Sequence, residues 1–162
     1  GVRWGTPTDT DERVAQAREL PPAPGVFDPD GEAFATPGEM QRKIDEALEA
    51  QGVARPDSMA AYVRVIIESF ARRYARAIGE LTEATGRAPD QLNLVGGGAR
   101  NRLLCDLTAQ ISGVTVVRGP IEASTFGSLL AQLETIGALA EADRASVIAA
   151  SASTYVHTPA SA

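Results

Sequence analysis

Helical periodicity is strongest between about Ser58 and Ala84, where apolar residues recur at steps of three and four positions. Such a stripe predicts one long amphipathic helix with a buried apolar face. The predicted buried positions are Val63, Ile66, Ile67, Phe70, Tyr74, Ile78 and Leu81. The arginines of this segment mostly fall outside the stripe and are expected to face solvent: Arg64, Arg72, Arg73 and Arg76.

Two shorter helices are predicted before this one. The first spans about Asp9–Leu20 and is broken by the proline-rich segment 21–25. The second has Thr36 as its expected N-cap, with a proline at the first helical position and Glu39 completing a capping box. Gly52 is expected to end this second helix.

In the second half of the chain, short apolar runs alternate with helical periodicity. The predicted elements are a strand at about 92–95, a helix at 101–111, a strand at 114–117, a helix at 122–139 and a helix at 142–150. The first four of these form a βαβα pattern, which is typical of parallel strands in an α/β fold. Residues 151–162 are expected to be a loose tail.

The sheet predicted in this way is small. The sequence shows no third convincing strand, although parallel strands are normally buried on both faces within larger sheets. Either further strands are missing or another chain supplies them. Because the first residue, Gly1, is also not a methionine, we expect the chain to be a fragment of a larger protein.

The composition is that of a globular protein: of 162 residues, 44% are apolar and 22% are charged. The net charge of −6 and the lack of a basic patch argue against nucleic acid as a partner. The chain has no run of 18 apolar residues, so no membrane span is expected. The single cysteine, Cys105, favours a reducing, cytoplasmic setting and is expected to be a small buried residue on a helix. Nothing in the sequence indicates an oligomeric state.

Gly96, Gly97 and Gly98 lie between a predicted strand and the helix that follows it. Glycine lets another molecule approach the backbone closely, and a helix N-terminus attracts anions such as phosphate. Because ligands of open α/β sheets bind at this end of the strands, the turn is a candidate nucleotide site. A tight turn without a ligand is an equally supported interpretation of these residues. The following residues, 99–101, do not match the P-loop and match the dinucleotide fingerprint only weakly.

Three segments resemble the FGGY family of carbohydrate kinases and, within that family, the rhamnulokinases. Residues 92–101, LNLVGGGARN, resemble the family's adenosine-binding strand and turn. Residues 119–127, GPIEASTFG, resemble the GPxEAxxxG turn of rhamnulokinases, and residues 27–40 resemble their DPDxxxFxxPxxM segment. The resemblance covers roughly residues 25–140.

The resemblance implies an α/β fold that is part of an actin-like, ribonuclease-H-like C-terminal kinase domain. Residues 1–24 would be an N-terminal segment, 25–150 a partial nucleotide-binding domain and 151–162 the tail. Enzymes of this family phosphorylate a sugar, here a ketose such as L-rhamnulose, with ATP and Mg²⁺ that the complete enzyme holds. The sugar would be bound mainly by an N-terminal domain, which is expected to be missing, so the chain is expected to be inactive alone.

The resemblance also places four residues at the nucleotide: Gly96, Gly97, Gly98 and Asn101. Gly97 and Gly98 would lie close to the adenosine, Gly98 being the strongest candidate, and Asn101 would lie near the base or ribose. Asn101 is equally expected to be a helix N-cap. Glu122 begins the next predicted helix and is interpreted as architectural. No catalytic or metal-binding residue is assigned, and the acids without an evident partner are Asp28, Asp30 and Asp106.

A second hypothesis treats the chain as a non-catalytic, mainly helical interaction module that keeps the turn geometry without the ligand. The long helix at 58–84 would then bind a partner through its apolar stripe. Nucleotide binding at the glycine turn distinguishes the two hypotheses.

Overall fold

The computed structural model describes residues 10–151 and 154–159. The helices are α1 (Thr10–Arg18), α2 (Met40–Glu49), α3 (Met59–Thr85), α4 (Arg102–Ser112), α5 (Ala123–Thr135) and α6 (Arg144–Ser151). The strands are β1 (Gln91–Leu94), β2 (Thr115–Arg118) and β3 (Tyr155–His157), and short 3₁₀ turns occupy Glu32–Phe34, Gly97–Arg100 and Glu141–Asp143. The predicted helix-rich α/β fold with few strands is confirmed. None of the helices in the described ranges is long and apolar enough to cross a membrane.

The chain divides into two units, one ending at Ala88 and the other beginning at Pro89. The predicted boundaries after residues 24 and 150 stay predictions. The proline-rich segment 21–25 packs within the first unit, since the Ala23 N–H donates to Glu68 on α3. The residues before Thr10 lie outside the described part of the chain.

α3 is the longest element of the first unit, and its ends lie within one residue of those predicted from the sequence. The Ser58 Oγ accepts a hydrogen bond from the Ala61 N–H at 3.2 Å, which caps the N-terminus. Gly86 ends the helix in the left-handed conformation with φ of 67°. The core against α3 consists of Phe27, Ile44, Leu48, Tyr62 and Val65.

The buried face of α3 differs from the predicted apolar stripe. The buried residues are Tyr62, Arg64, Val65, Ile67, Glu68, Ser69 and Ala71. Arg64 is therefore inside, whereas Phe70 and Leu81, which the stripe places inside, are 39% and 51% exposed. The reason is that α1 and the segment before α2 supply polar partners to this face, and helical periodicity carries no information about them.

Glu68 connects α3 to the chain that precedes α2. Its Oε2 accepts the Ala23 N–H at 2.9 Å and the Arg64 Nε–H at 3.3 Å, and its Oε1 accepts a hydrogen bond from Arg72 at 2.9 Å. Burial alone would raise the pKa of Glu68, but the Ala23 N–H and the Arg72 guanidinium outweigh burial and lower it. Arg64 also donates to the Ala17 carbonyl at 3.5 Å, so one buried ion pair joins α1, α3 and the proline-rich segment.

Asp28 and Asp30 have structural partners, contrary to the sequence interpretation. Arg76 donates to Asp28 at 3.0 Å, and Arg73 donates to Asp30. The Asp28 Oδ1 also accepts the Asp30 N–H at 3.1 Å, which tightens the turn. These partners are 43 and 48 residues apart in the chain, so only folding brings them together.

α2 begins later than the predicted capping box. Its N-cap is Glu39, in the left-handed region with φ of 48° and ψ of 29°, and not Thr36. The Lys43 Nζ donates to the Thr36 carbonyl at 2.5 Å, while Arg42 pairs with the Glu39 carboxylate at 2.7 Å. Both members of the predicted capping box therefore bind basic side chains of α2 instead of the N–H groups at its start.

The second unit contains a sheet of three strands in the order β1-β2-β3. β1 and β2 are parallel, with Leu92 opposite Val116 and Leu94 opposite Arg118, which confirms the predicted βαβα unit. α4 covers one face of the sheet through a core of Cys105, Ala109 and Val116, with Leu92 and Leu94 packed against it. The apolar residues of α5 are only partly buried: Leu130 is 2% exposed, whereas Leu129 is 49% exposed.

β3 lies inside the segment that was expected to be a loose tail. It pairs with β2 in antiparallel orientation, with Val116 opposite His157 and Arg118 opposite Tyr155. The His157 Nδ1 lies 2.5 Å from the Asp106 Oδ1 on α4, so the last of the three acids also has a partner. A three-residue strand has almost no sequence signal of its own, and it forms here because β2 offers a free edge. Residues 152–153 and 160–162 of the expected tail lie outside the described ranges.

Glu68→Gln tests the buried ion pair. We expect this change to lower the free energy of unfolding by about 3 kcal/mol, because it leaves the buried Arg64 without a counter-charge. Glu80→Gln is the matched control on the same helix: Glu80 pairs with Arg73 and Arg76 but is 56% exposed, so its loss should cost no more than about 0.5 kcal/mol. Urea unfolding followed by circular dichroism measures both.

The same unfolding experiment, repeated at several pH values, tests the charge of Glu68. Because the pKa of Glu68 is lowered in the folded state, its stabilisation is complete above the usual glutamate range near about 4.3 and is lost as the pH falls through the lowered value. The difference in stability between the parent and Glu68→Gln should therefore shrink with acidification. A difference that stays constant from neutral to acid pH would contradict the role given to the carboxylate.

His157→Ala and Asp106→Asn, made singly and together, test how β3 is attached to α4. Each single change should cost about 1–2 kcal/mol, since it removes a partly buried hydrogen bond. The double variant should lose less than the sum, with a coupling of at least about 0.5 kcal/mol. Val156→Ala is the control in the same strand, since Val156 is 63% exposed. Additive single effects would show that this contact does not hold β3.

Candidate functional site

The two turns that follow β1 and β2 lie side by side, because parallel strands place their carboxyl ends at the same edge of the sheet. The Gly119 N–H donates to the Leu94 carbonyl at 2.9 Å, and the Gly96 N–H donates to the Pro120 carbonyl at 3.0 Å. These bonds continue the β1–β2 pairing past the strand ends. The glycine turn and the Gly-Pro turn, which the sequence presents as separate motifs, therefore form one backbone surface.

The three consecutive glycines differ in backbone conformation and in the space that surrounds them. Gly96 has φ of 75° and ψ of −158°, a conformation that is essentially restricted to glycine. An added Cβ at Gly97 would have no neighbour within 4 Å, so this position opens to the surroundings. An added Cβ at Gly98 would lie 3.9 Å from the side chains of Leu94 and Leu104, which is ordinary contact. An added side chain would therefore meet open space at Gly97 and ordinary contacts at Gly98, and the contact of either glycine with a nucleotide stays a prediction.

Asn101 is the N-cap of α4. Its Oδ1 accepts the Leu104 N–H at 3.0 Å, and its own N–H donates to the Gly98 carbonyl at 3.1 Å. The cap therefore ties the start of α4 to the end of the glycine turn. It uses the carbonyl oxygen of the side chain, while the side-chain amide nitrogen, a donor, is not part of the cap. Contact of Asn101 with a nucleotide stays a prediction.

The Gly-Pro turn is shaped by close packing on the glycine turn. A Cβ at Gly119 would lie 2.8 Å from the Val95 Cγ1, so a side chain cannot be added there without a shift of the Val95 side chain. Glu122 occupies the N-cap position of α5, and its 77% exposed carboxylate lies 4.0 Å from the Arg100 guanidinium. This pair spans the two turns on their outer side, which agrees with an architectural interpretation of Glu122.

A cleft of about 500 Å³ opens beside the paired turns. Its lining consists of Ala99, Arg118, Gly119, Pro120, Ile121, Glu122, Phe126, Ser151 and Tyr155. The Arg118 guanidinium lies over the Tyr155 ring, 4.4 Å from its centroid. The volume falls in the range of small-molecule sites, and the lining is mainly apolar with a few charged groups, as such sites usually are.

Sequence reasoning did not identify Arg118 or Tyr155 as site residues. Arg118 ends β2 and could have been noticed as a cation at the carboxyl edge of the sheet, next to the Gly-Pro turn. Tyr155 carries no such signal, because its position depends on the pairing of β3 with β2. The candidate residues Gly96, Gly97 and Gly98 border this edge, and Ala99, which follows them, lines the cleft itself.

Neither Cys105 nor a metal cluster adds chemistry to this site. Cys105 is fully buried, and burial raises the pKa of its thiol to about 11, which agrees with the small buried residue predicted from the sequence. In residues 10–151 and 154–159, no group of three or more His, Cys, Asp or Glu side chains is arranged to hold a metal ion. We therefore assign no nucleophile and no metal ligand to the described residues.

Comparison with known proteins identifies relatives. Residues 3–135 match the model of the FGGY family of carbohydrate kinases, C-terminal domain. The chain is 38% identical over 136 residues to a rhamnulokinase of Klebsiella pneumoniae and 35% identical over 136 residues to one of Bacteroides thetaiotaomicron. Each match covers 84% of this chain and 28% of the relative, so the chain spans little more than a quarter of their length.

A solved structure supports the same fold. The crystal structure of xylulose kinase from Rhodospirillum rubrum superimposes with a TM-score of 0.60 at 20% sequence identity, over 91% of this chain and 29% of that one. At this level of identity the match concerns the fold alone.

Gly96→Ala and Gly98→Ala form a matched pair that tests the geometry of the turn. Gly96→Ala should lower the free energy of unfolding by about 1–3 kcal/mol, because alanine is strained at the φ and ψ of this position. Gly98→Ala should change it by less than about 0.5 kcal/mol, since its Cβ meets neighbours only at contact distance. Chemical denaturation of both variants gives the comparison. Equal costs at the two positions would contradict the conformation assigned to Gly96.

Proposed function

The chain belongs to the FGGY family of carbohydrate kinases through their C-terminal domain, and on this premise we propose that it supplies the nucleotide-binding side of an ATP-dependent sugar kinase. The rhamnulokinase relatives suggest a ketose such as L-rhamnulose as the sugar of the complete enzyme. A cytoplasmic setting stays a prediction made from the single cysteine.

One observation carries this proposal: two hydrogen-bonded turns at the carboxyl edge of a parallel pair of strands border a cleft of about 500 Å³. The carboxyl edge is where open α/β sheets bind ligands. The open position at Gly97 lets the adenosine part of a nucleotide approach the backbone. Arg118, within the cleft, supplies a positive charge that suits an anionic ligand.

The groups present fit a nucleotide better than they fit a phosphoryl-transfer centre. Transfer of a phosphoryl group needs a positioned sugar hydroxyl, a base and metal-neutralised phosphates acting together. Mg²⁺ would be held mainly through the phosphates of the nucleotide, as is usual for this ion. We therefore propose that this chain contributes nucleotide binding, and that turnover also needs the part of the kinase that binds the sugar.

Mg·ATP should stabilise this chain against heat, and Gly97→Val should remove the effect. At 100 times the Kd, a ligand adds about 2.7 kcal/mol of stability. Valine at Gly97 projects into open space, so it should leave folding intact while blocking the approach of the ligand. Gly79→Val is the matched control: Gly79 also has no neighbour within 4 Å of an added Cβ, and it lies on α3 of the first unit.

Differential scanning fluorimetry with and without millimolar Mg·ATP measures these changes. The expected result is an equal rise in Tm for the parent and Gly79→Val and a much smaller rise for Gly97→Val. The absence of any shift in the parent would reject nucleotide binding by this chain and favour the non-catalytic interaction module. A shift that survives in Gly97→Val would place the nucleotide elsewhere.

A further inference from the structure

Tyr155 is an aromatic residue that lines the cleft and lies outside the region matched by the family model. The family match ends at residue 135, whereas Tyr155 lies in β3, near the C-terminal end of the chain. Its ring lines the cleft together with Ala99, from the end of the glycine turn, and Pro120, from the Gly-Pro turn. The residue therefore joins the site through tertiary structure, and the shared motifs give no information about it.

The register of β3 explains why the ring faces this cleft. Tyr155 lies opposite Arg118, and His157 lies opposite Val116. Because side chains alternate across a strand, Tyr155 and His157 lie on the same face of the sheet as Arg118 and Val116. Val116 packs against α4 on this face, and His157 contacts Asp106 of α4. Tyr155 lies two residues before His157 along β3, beside the carboxyl end of β2.

Two features make the Tyr155 ring suitable for contact with a planar ligand. The Arg118 guanidinium lies over one face of the ring, which favours this orientation of the ring, keeps a positive charge beside it and leaves only the opposite face for stacking. Tyr155 nevertheless remains 50% exposed, so much of its surface is accessible to a molecule in the cleft. An exposed and oriented aromatic ring next to a cation and a glycine turn matches the chemistry of a nucleotide, which combines a flat base with negative phosphates.

We propose that Tyr155 is the surface on which the base of the bound nucleotide stacks, and that β3 is therefore part of the nucleotide site. The inference rests on the proposed function, since it names a residue of that same site. It adds that base recognition depends on a ring of the C-terminal strand, outside the family motifs. Stacking of a base on an aromatic side chain contributes about 1–3 kcal/mol, which corresponds to roughly a five- to 150-fold change in Kd.

The test compares Tyr155→Leu, which keeps an apolar side chain without a ring, with Tyr155→Phe, which keeps the ring. Isothermal titration calorimetry gives the Kd of each chain for Mg·ATP and for tripolyphosphate, which has no base. Tyr155→Leu should weaken ATP at least fivefold and leave tripolyphosphate unchanged, while Tyr155→Phe should bind ATP within about twofold of the parent. Val156→Ala, in the same strand but 63% exposed, should bind like the parent.

A second readout reports stacking directly. In proton NMR, the adenine H2 and H8 signals should move upfield on binding to the parent and to Tyr155→Phe, because of the ring current, and should lose this shift with Tyr155→Leu. Equal ATP affinity of the parent and Tyr155→Leu would overturn this inference alone. An equal loss for ATP and tripolyphosphate would also overturn it, since the ring would then act only through structure. A parent chain that binds no ATP would overturn the proposed function and this inference together.

Discussion

The parallel pairing of β1 and β2 is the constraint on which the second unit depends. The ladder does not stop at the strand ends, because hydrogen bonds from Gly119 to Leu94 and from Gly96 to Pro120 carry it into both turns. The two turns, and the starts of α4 and α5 that follow them, are thereby held in one register. The backbone of both turns is positioned by sheet pairing, which is stiffer than a loop held only by its side chains.

Charged residues in this acidic chain hold segments together. Glu68 joins the proline-rich segment to α3, and Asp28 and Asp30 attach their loop to α3 through Arg76 and Arg73. Asp106 does the same between α4 and β3 through His157. A carboxylate that pairs with a basic side chain is a poor candidate for acid–base chemistry. The partner stabilises the ionised form of the carboxylate, which makes it a weaker proton acceptor. These four carboxylates are therefore explained by their structural contacts.

The candidate site combines parts with different origins. The two turns belong to the region matched by the family model, whereas Tyr155 comes from the strand beyond it. In the proposed site, the two turns would provide the approach to adenosine and Tyr155 of β3 would hold the base.

The sequence by itself determined the elements whose residues are close together in the chain: the approximate ends of α3 and α4, with Asn101 as an expected cap of α4, the parallel β1 and β2, and the family through its turn motifs. Local hydrogen bonds and periodicity are enough for these features. Only the tertiary structure decided that Arg64 is buried, that Asp28 and Asp30 are paired, and that part of the expected tail is β3. It also decided that Tyr155 lines the cleft. The physical reason is that these features depend on contacts between residues dozens of positions apart, whose free energy appears only when the chain has folded and no local pattern records it.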